Sequence, residues 1–261
     1  VVAAEGGRFD EGFGLIDYEH IERAAMFAPA EAKVSVVPVR VAEGLRVGYV
    51  MGTGDDGPEA IRQLGVDVTL LDAAAVRAGD FGAFDVVVVG VRAYETREDL
   101  RAATAQLLDF ARQGGTVLVQ YNQYDFPRGG YTPYPVDMGR PAPRVAEEDA
   151  AVTLLHPDAP VFTTPNRITQ EDFEGWVQER GLYFLSQWDD AYVPLLEMHD
   201  QDEEPARGSL LVAPVGDGLY VYAALSFFRQ WSEGVPGAYR LWANLLSLKG
   251  DAWRAFRPVS D

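Results

Sequence analysis

The side chains best suited to chemistry stand directly after four apolar runs. Thr53, Asp55 and Asp56 follow residues 45–51, and Arg92, Tyr94 and Glu95 follow 84–90. Tyr121, Asn122, Gln123 and Tyr124 close and follow 116–121, and Ser226, Phe227, Phe228 and Arg229 follow 219–225. Paired carboxylates do acid–base work when their surroundings drive their pKa values apart. Arg92 and Glu95 fit a ligand-orienting pair and a structural ion pair equally well. A separate group, Asp172, Glu174 and Trp176, joins carboxylates to an aromatic plate of the kind that stacks on sugar rings. Trp176 and Phe173 serve equally as packing residues.

Other chemistries are excluded or poorly served. The 261 residues contain no cysteine, which removes thiolate nucleophiles, thiolate metal sites and disulfides. No G-x-S-x-G elbow announces a serine nucleophile. His20, His156 and His199 are far apart, so no metal is expected; the acidic run after His199 reads as a surface loop. Gly52, Gly54 and Gly57 have dinucleotide-fingerprint spacing after a strand-like run. Pro58 follows at once, however, and Asp55 and Asp56 would face the pyrophosphate, so a tight strand-to-helix turn is the reading and no cofactor is expected.

Charge and hydropathy narrow the partners. Twenty-two basic against 40 acidic residues give −18, with no basic run to offset it, which opposes nucleic-acid binding. No apolar stretch nears the roughly 18 residues of a membrane-spanning helix. At 48% hydrophobic, the chain has material for a sizeable core.

These side chains need a scaffold, and the periodicity supplies one. Strand-like runs at 45–51, 66–71, 84–90 and 116–121 alternate with helical stretches near 58–64, 73–76 and 96–111, the last with Thr96 as its N-cap. The unbroken Val86–Val89 run suits a parallel strand covered on both faces. The expectation is an α/β fold: a mostly parallel, doubly wound sheet with a flavodoxin-like core and an added antiparallel C-terminal part. That part has strands at 182–185, 192–197, 208–214 and 219–225 and a closing helix at 238–248. Ligands of such sheets bind beyond the carboxyl ends of the strands, so the four tip groups should share one rim. Residues 122–150, rich in proline and aromatics, form a structured excursion. Residues 1–44 read as a lead-in ending a β-rich domain, with 33–41 as an edge strand; 45–250 form the α/β domain and 251–261 a tail. Beginning at Val1 without a signal peptide, the sequence reads as the C-terminal part of something longer.

A resemblance sharpens this. Residues 114–122 (Gly-Gly-Thr-Val-Leu-Val-Gln-Tyr-Asn) resemble the strand after which class I glutamine amidotransferases carry their nucleophilic cysteine, with Tyr121 and Asn122 at that elbow. His156-Pro157, Glu171-Asp172, the run 216–222 and the closing helix resemble the ThuA-like branch, which also lacks that nucleophile. More narrowly, 48–56, 89–96, 162–168 and 173–184 resemble the C-terminal region of large bacterial LmbE-like (PIG-L) deacetylases, a likeness spanning roughly residues 15 to 250. The zinc motif of those enzymes is not carried over: His156-Pro157-Asp158 lacks the second aspartate. The resemblance implies a non-catalytic accessory module that binds a glycan or small molecule at the sheet edge or organises an upstream deacetylase domain. It also favours a periplasmic or secreted setting over the cytoplasm. The ligand-binding candidates are Asp55, Arg92, Tyr94, Glu95, Tyr121, Asn122, Asp172, Glu174, Trp176 and Arg229. An independent hydrolase using Asp, Glu and Arg at the sheet edge, or an oligomerisation domain forming a homo-oligomer, are the alternatives.

Overall fold

The computed structural model describes residues 2–4, 7–31, 34 and 36–256. They divide into two units, Val1–Val37 and Pro38–Asp261. The first is built from two antiparallel hairpins, Val2–Ala4 with Gly7–Phe9 and Glu11–Ile16 with Ala24–Pro29. In the second hairpin Phe13 lies opposite Phe27 and Leu15 opposite Ala25, so these side chains share one face. Phe13 is 71% and Phe27 68% exposed.

The larger unit carries the α/β fold. Its seven-stranded sheet comprises β1 (Val47–Val50), β2 (Val68–Leu70), β3 (Val86–Val89), β4 (Thr116–Gln120), β5 (Val193–Pro194), β6 (Leu210–Val215) and β7 (Gly218–Ala223), in the order β5-β6-β7-β4-β3-β1-β2. The pairs from β7 to β2 are parallel and the two involving β6 are antiparallel. Read along the parallel part, the order is that of a flavodoxin-like core, with the switch point between β1 and β3. Strands β1, β3, β4 and β7 are buried on both faces, as their unbroken apolar runs require.

Helices cover both faces. Right-handed crossovers place α1 (Gly57–Gln63) on one side and α2 (Ala73–Ala78), α3 (Ala93–Thr96), α4 (Glu98–Ala102) and α5 (Thr104–Arg112) on the other, because β1→β2 and β2→β3→β4 run in opposite directions. The contacts agree: α1 packs on α6 (Phe227–Ser232) and α6 on α7 (Pro236–Ser247), while α2 meets α4 and α5 meets β4 and β7. A last helix, α8 (Gly250–Ala255), lies against β6 and β7 and buries Trp253. Among the described residues no helix is long and apolar enough to cross a membrane.

Several local expectations need correcting. Residues 36–41 form no strand, and Lys33 and Ser35 lie outside the described residues. Side-chain bonds to the α7 region tie this stretch down instead. The Pro38 carbonyl accepts from Arg240 Nη1 at 2.6 Å, Arg40 exchanges two bonds with Asn166, and the Ala42 amide donates to Ser247 Oγ. The helix expected over 96–111 breaks at Ala103, and Thr96 ends α3 instead of capping α4; Arg97 stands before α4 in an extended conformation. Residues 182–185 are not a strand. Gly181 bridges both Val145 and Leu225, and Tyr183 has φ 58°, so the run crosses the end of β7 and is apolar because it packs there.

Candidate rim site at the carboxyl ends of the parallel strands

The parallel pairing of β1, β3, β4 and β7 brings their carboxyl-end loops side by side. At the switch point, Asp55 binds the first two loops together. Its Oδ1 accepts from the Tyr49 hydroxyl and from the Gly57 amide at 2.8 Å, and its Oδ2 accepts from the Val91 amide at 3.1 Å. Gln120 Nε2 donates to the same Tyr49 hydroxyl at 2.7 Å, extending the link to β4. Burial, with the Asp55 charge beside it, drives the Tyr49 phenol far above its ordinary range. Asp55 is therefore a brace whose two oxygens serve the fold. The glycine spacing has a mechanical cause too: a Cβ on Gly52 would collide with the Val91 carbonyl, and one on Gly57 with the Tyr49 hydroxyl.

After β3 the chain turns through Arg92, whose φ of 56° and ψ of 27° are left-handed, and enters α3. Tyr121 and Asn122, which the resemblance places at the amidotransferase elbow after β4, have no positive φ. From Arg92 a closed ring of contacts runs around the rim. Arg92 Nε donates to Glu95 Oε2 at 2.6 Å, and Glu95 Oε1 accepts from the Gln123 amide. Gln123 Nε2 donates to the Tyr183 hydroxyl at 2.9 Å. The Tyr183 ring stacks on Tyr121 (centroids 5.7 Å apart, planes 9° from parallel), and the Tyr121 carbonyl accepts from the Arg92 amide at 3.0 Å. Tyr124 meets Tyr183 edge-on and Phe228 flanks Tyr121, so two more aromatic rings join the stacked tyrosine pair.

Beyond Phe228 lies a second arginine. Arg229 sits over the Phe228 ring, donates through Nε to Glu179 Oε1 at 2.6 Å and through Nη1 to Gln178 Oε1. Ser226 is fully buried and its hydroxyl donates to the Glu179 carbonyl. It is a structural residue without the exposure a nucleophile needs.

The electrostatics follow from these contacts. The hydrogen bond to Glu95 raises the Arg92 guanidinium above its ordinary value, so it stays charged. Burial raises the Tyr121 phenol, with Arg92 pulling the other way, so at neutral pH it remains a proton donor. Among the described residues, Arg92 Nη1 and Nη2 and the two tyrosine hydroxyls donate no hydrogen bond. The rim thus offers neutral and cationic donors around aromatic rings, whereas both oxygens of Asp55 and of Glu95 are already engaged.

The other expected residues fall into two classes. Tyr94 and Asn122 belong to the core below the rim. The Asn122 side chain accepts from the Tyr94 amide at 3.0 Å and donates to the Gln120 carbonyl at 2.9 Å, and the Tyr94 ring stacks on Tyr131 at 4.5 Å. Asp172, Glu174 and Trp176 lie outside the ring. Asp172 is buried, pairs with Arg240 at 2.7 Å and closes a capping box with Thr169. Trp176 is 3% exposed, donates to the Asp172 carbonyl and packs against Phe173 and Phe227. Only Glu174 reaches solvent, beside a shallow cavity of about 460 Å³. An acidic-aromatic pattern that suited a sugar site is here a helix cap over a packed indole. Tyr183, Gln178 and Glu179 were not anticipated. Their role depends on partners tens of residues away, and no local spacing marks it.

No protein-family model matches the chain, and none of the curated proteins does. Among solved structures it is similar to the cytoplasmic protein STM3548 from Salmonella typhimurium, at 15% identity and a TM-score of 0.48 over 90% of this chain and 94% of that one. It is similar also to the cytoplasmic protein STM1381 from Salmonella typhimurium LT2 (15%, TM-score 0.47, 77% and 98%) and to a β-galactosidase from Rahnella sp. R3 (14%, TM-score 0.43, 78% and 31%). Likeness this distant says nothing of activity.

Proposed function

We propose that this chain is a non-catalytic α/β module that binds a glycan or small molecule on the rim built from Arg92, Glu95, Tyr121, Gln123 and Tyr183, with Arg229 at its margin. One observation supports the reading above the rest. Of the four non-glycine residues with positive φ among the described residues, three (Arg92, Gln178 and Tyr183) belong to this rim or hold its margin. Left-handed backbone at such residues costs free energy and persists where the surroundings enforce it, which is common at binding sites. The tyrosine rings, Tyr121 buried and Tyr183 half-buried, are framed by guanidinium and amide groups and suit ligands with apolar ring faces and polar edges. The cysteine-free sequence and the engaged carboxylates favour binding over turnover. The resemblance to ThuA-like domains and to the C-terminal region of PIG-L deacetylases supports the finer version, an accessory module beside an upstream deacetylase domain.

The test is saturation-transfer NMR and calorimetry against a broad panel of neutral and acidic oligosaccharides, with Tyr183→Ala as the paired control. Binding that Tyr183→Ala weakens at least about tenfold, the scale of a lost aromatic contact, supports the reading; silence across the panel removes it. The apolar Phe13/Phe27 face of the first unit favours a second role, self-association. Light scattering should then show a concentration-dependent oligomer that Phe13→Ser with Phe27→Ser reduces to monomer.

A further inference from the structure

We propose that the ligand of this rim carries a single carboxylate, seated on the free fork of the Arg92 guanidinium with the Tyr121 and Tyr183 hydroxyls beside it. The inference rests on the rim-binding reading above and specifies its ligand.

The geometry supplies the donors. Glu95 takes Arg92 Nε alone, so Nη1 and Nη2, the pair that matches a carboxylate's two oxygens, are unengaged among the described residues. The closed ring holds the guanidinium from both ends. The Arg92 amide is bonded to the Tyr121 carbonyl and its Nε to a glutamate whose other oxygen is anchored on the Gln123 amide. An arginine fixed in this way loses little rotamer freedom when it binds. The Tyr183 hydroxyl already accepts from Gln123, so the bond it still has to make is a donation, and Tyr121 likewise retains its O–H. Tyr121 and Tyr183 lie close enough to Arg92 to act on its charge. Four free donors therefore gather where, among the described residues, both carboxylate oxygens of Glu95 are engaged and Gln123 Oε1 is the free side-chain acceptor, an excess of donors that calls for an oxyanion.

The rest of the molecule limits that oxyanion to one charge. A chain of net charge −18 repels anions at long range, and screening leaves only the last ~8 Å unshielded at physiological salt. A monoanion meets this barrier once, whereas a polyphosphate or nucleic acid meets it along its whole length. Glu95 and Glu179, beside the two arginines, add to the selection.

The test uses matched oligosaccharides that differ only in ending in glucuronate or in glucose, titrated by calorimetry at physiological salt, with lactate and benzoate as carboxylates without a sugar. The glucuronate member of a pair should bind at least about tenfold more tightly, the scale of one charge-assisted hydrogen bond. Arg92→Gln should abolish the preference, weakening the glucuronate member at least about tenfold more than its neutral twin. Arg92→Lys, which keeps the charge without the fork, should restore only part of it. Binding of lactate or benzoate as tight as that of the glucuronate sugars would keep the carboxylate site and remove the glycan. Equal binding of the twins overturns the carboxylate while leaving the rim reading standing; no binding by any probe overturns both. Thermal melts of each variant separate lost binding from lost fold.

Discussion

Replacing Asp55 by asparagine tests whether the switch-point loops are held by one carboxylate. Three donors converge on its two oxygens, the Tyr49 hydroxyl, the Gly57 amide and the Val91 amide. Asparagine offers one oxygen and an NH2 group in nearly the same volume. With its oxygen toward Tyr49 and Gly57, the NH2 faces the Val91 N–H; reversed, it faces the Gly57 N–H and the Tyr49 hydroxyl, whose oxygen already accepts from Gln120. In either orientation at least one bond to a charged acceptor is lost, worth about 1.5–3 kcal/mol, and a shielded N–H is stranded, worth about 1–3 kcal/mol. Asp55 is half-buried, so the lower halves of these ranges apply and the expected loss is about 3 kcal/mol. For a domain of 150–250 residues that lowers Tm by about 6–12 °C. Urea unfolding should show a lower midpoint at unchanged m-value, since the surface exposed on unfolding is the same. A loss below about 1 kcal/mol would refute the brace and return Asp55 to the ligand-binding candidates.

Three further outcomes follow from named contacts. Arg92→Gly and Arg92→Ala both delete the guanidinium and differ in the cost of the left-handed backbone. The glycine variant should therefore be more stable by about 1 kcal/mol in urea unfolding; equal stability would mean that the φ of 56° carries no strain. Gly52→Ala drives a Cβ into the Val91 carbonyl and should cost about 3 kcal/mol or more; a melt within 2–3 °C of wild type, roughly 1 kcal/mol at this size, would contradict the close approach. The hydrogen bonds of Arg97 hold the Asp99 carboxyl below its usual 3.8. A carboxylate depressed in this way contributes stability that is complete above the unfolded value and is lost as pH falls through the folded one. The difference in urea midpoint between wild type and Asp99→Asn should therefore be flat from pH 8 to about 5 and shrink below about pH 4. A difference that persists to lower pH would assign the effect to packing.

The sheet was legible because burial on both faces leaves an unmistakable run, as in Val86–Val89, and because Pro58 and Gly114 mark where helices start and stop. The rim was legible only as a location. The rule that loops after parallel strands converge picked out Arg92, Glu95, Tyr121 and Arg229. It could not separate them from Asp55, Tyr94 and Asn122, which share the same loops with their polar atoms turned to structural partners. Which way a side chain is turned depends on groups 28 to 71 residues away in sequence. Tyr183 was hidden in a run that reads as a strand by composition, and the capping box of Asp172 imitated a sugar site because the box supplies a carboxylate and the packed Trp176 four residues on supplies an aromatic ring.

What distinguishes the rim from the rest of the fold is the choice of residue at left-handed positions. Among the described residues nine glycines have positive φ; Gly65 and Gly79, for example, end helices, where no side chain is needed. Glycine adopts that conformation without steric cost, so a chain selected only for stability would place it at Arg92, Gln178 and Tyr183 as well. At these three positions it carries instead a guanidinium bonded to Glu95, an amide bonded to Arg229 and a phenol bonded to Gln123. Each bond joins the strained residue to another residue of the rim or its margin, and each needs the side chain that glycine lacks. Turn formation alone does not account for three such choices within one connected group. The proposed binding role accounts for them, because it requires those side chains at the carboxyl ends of the strands.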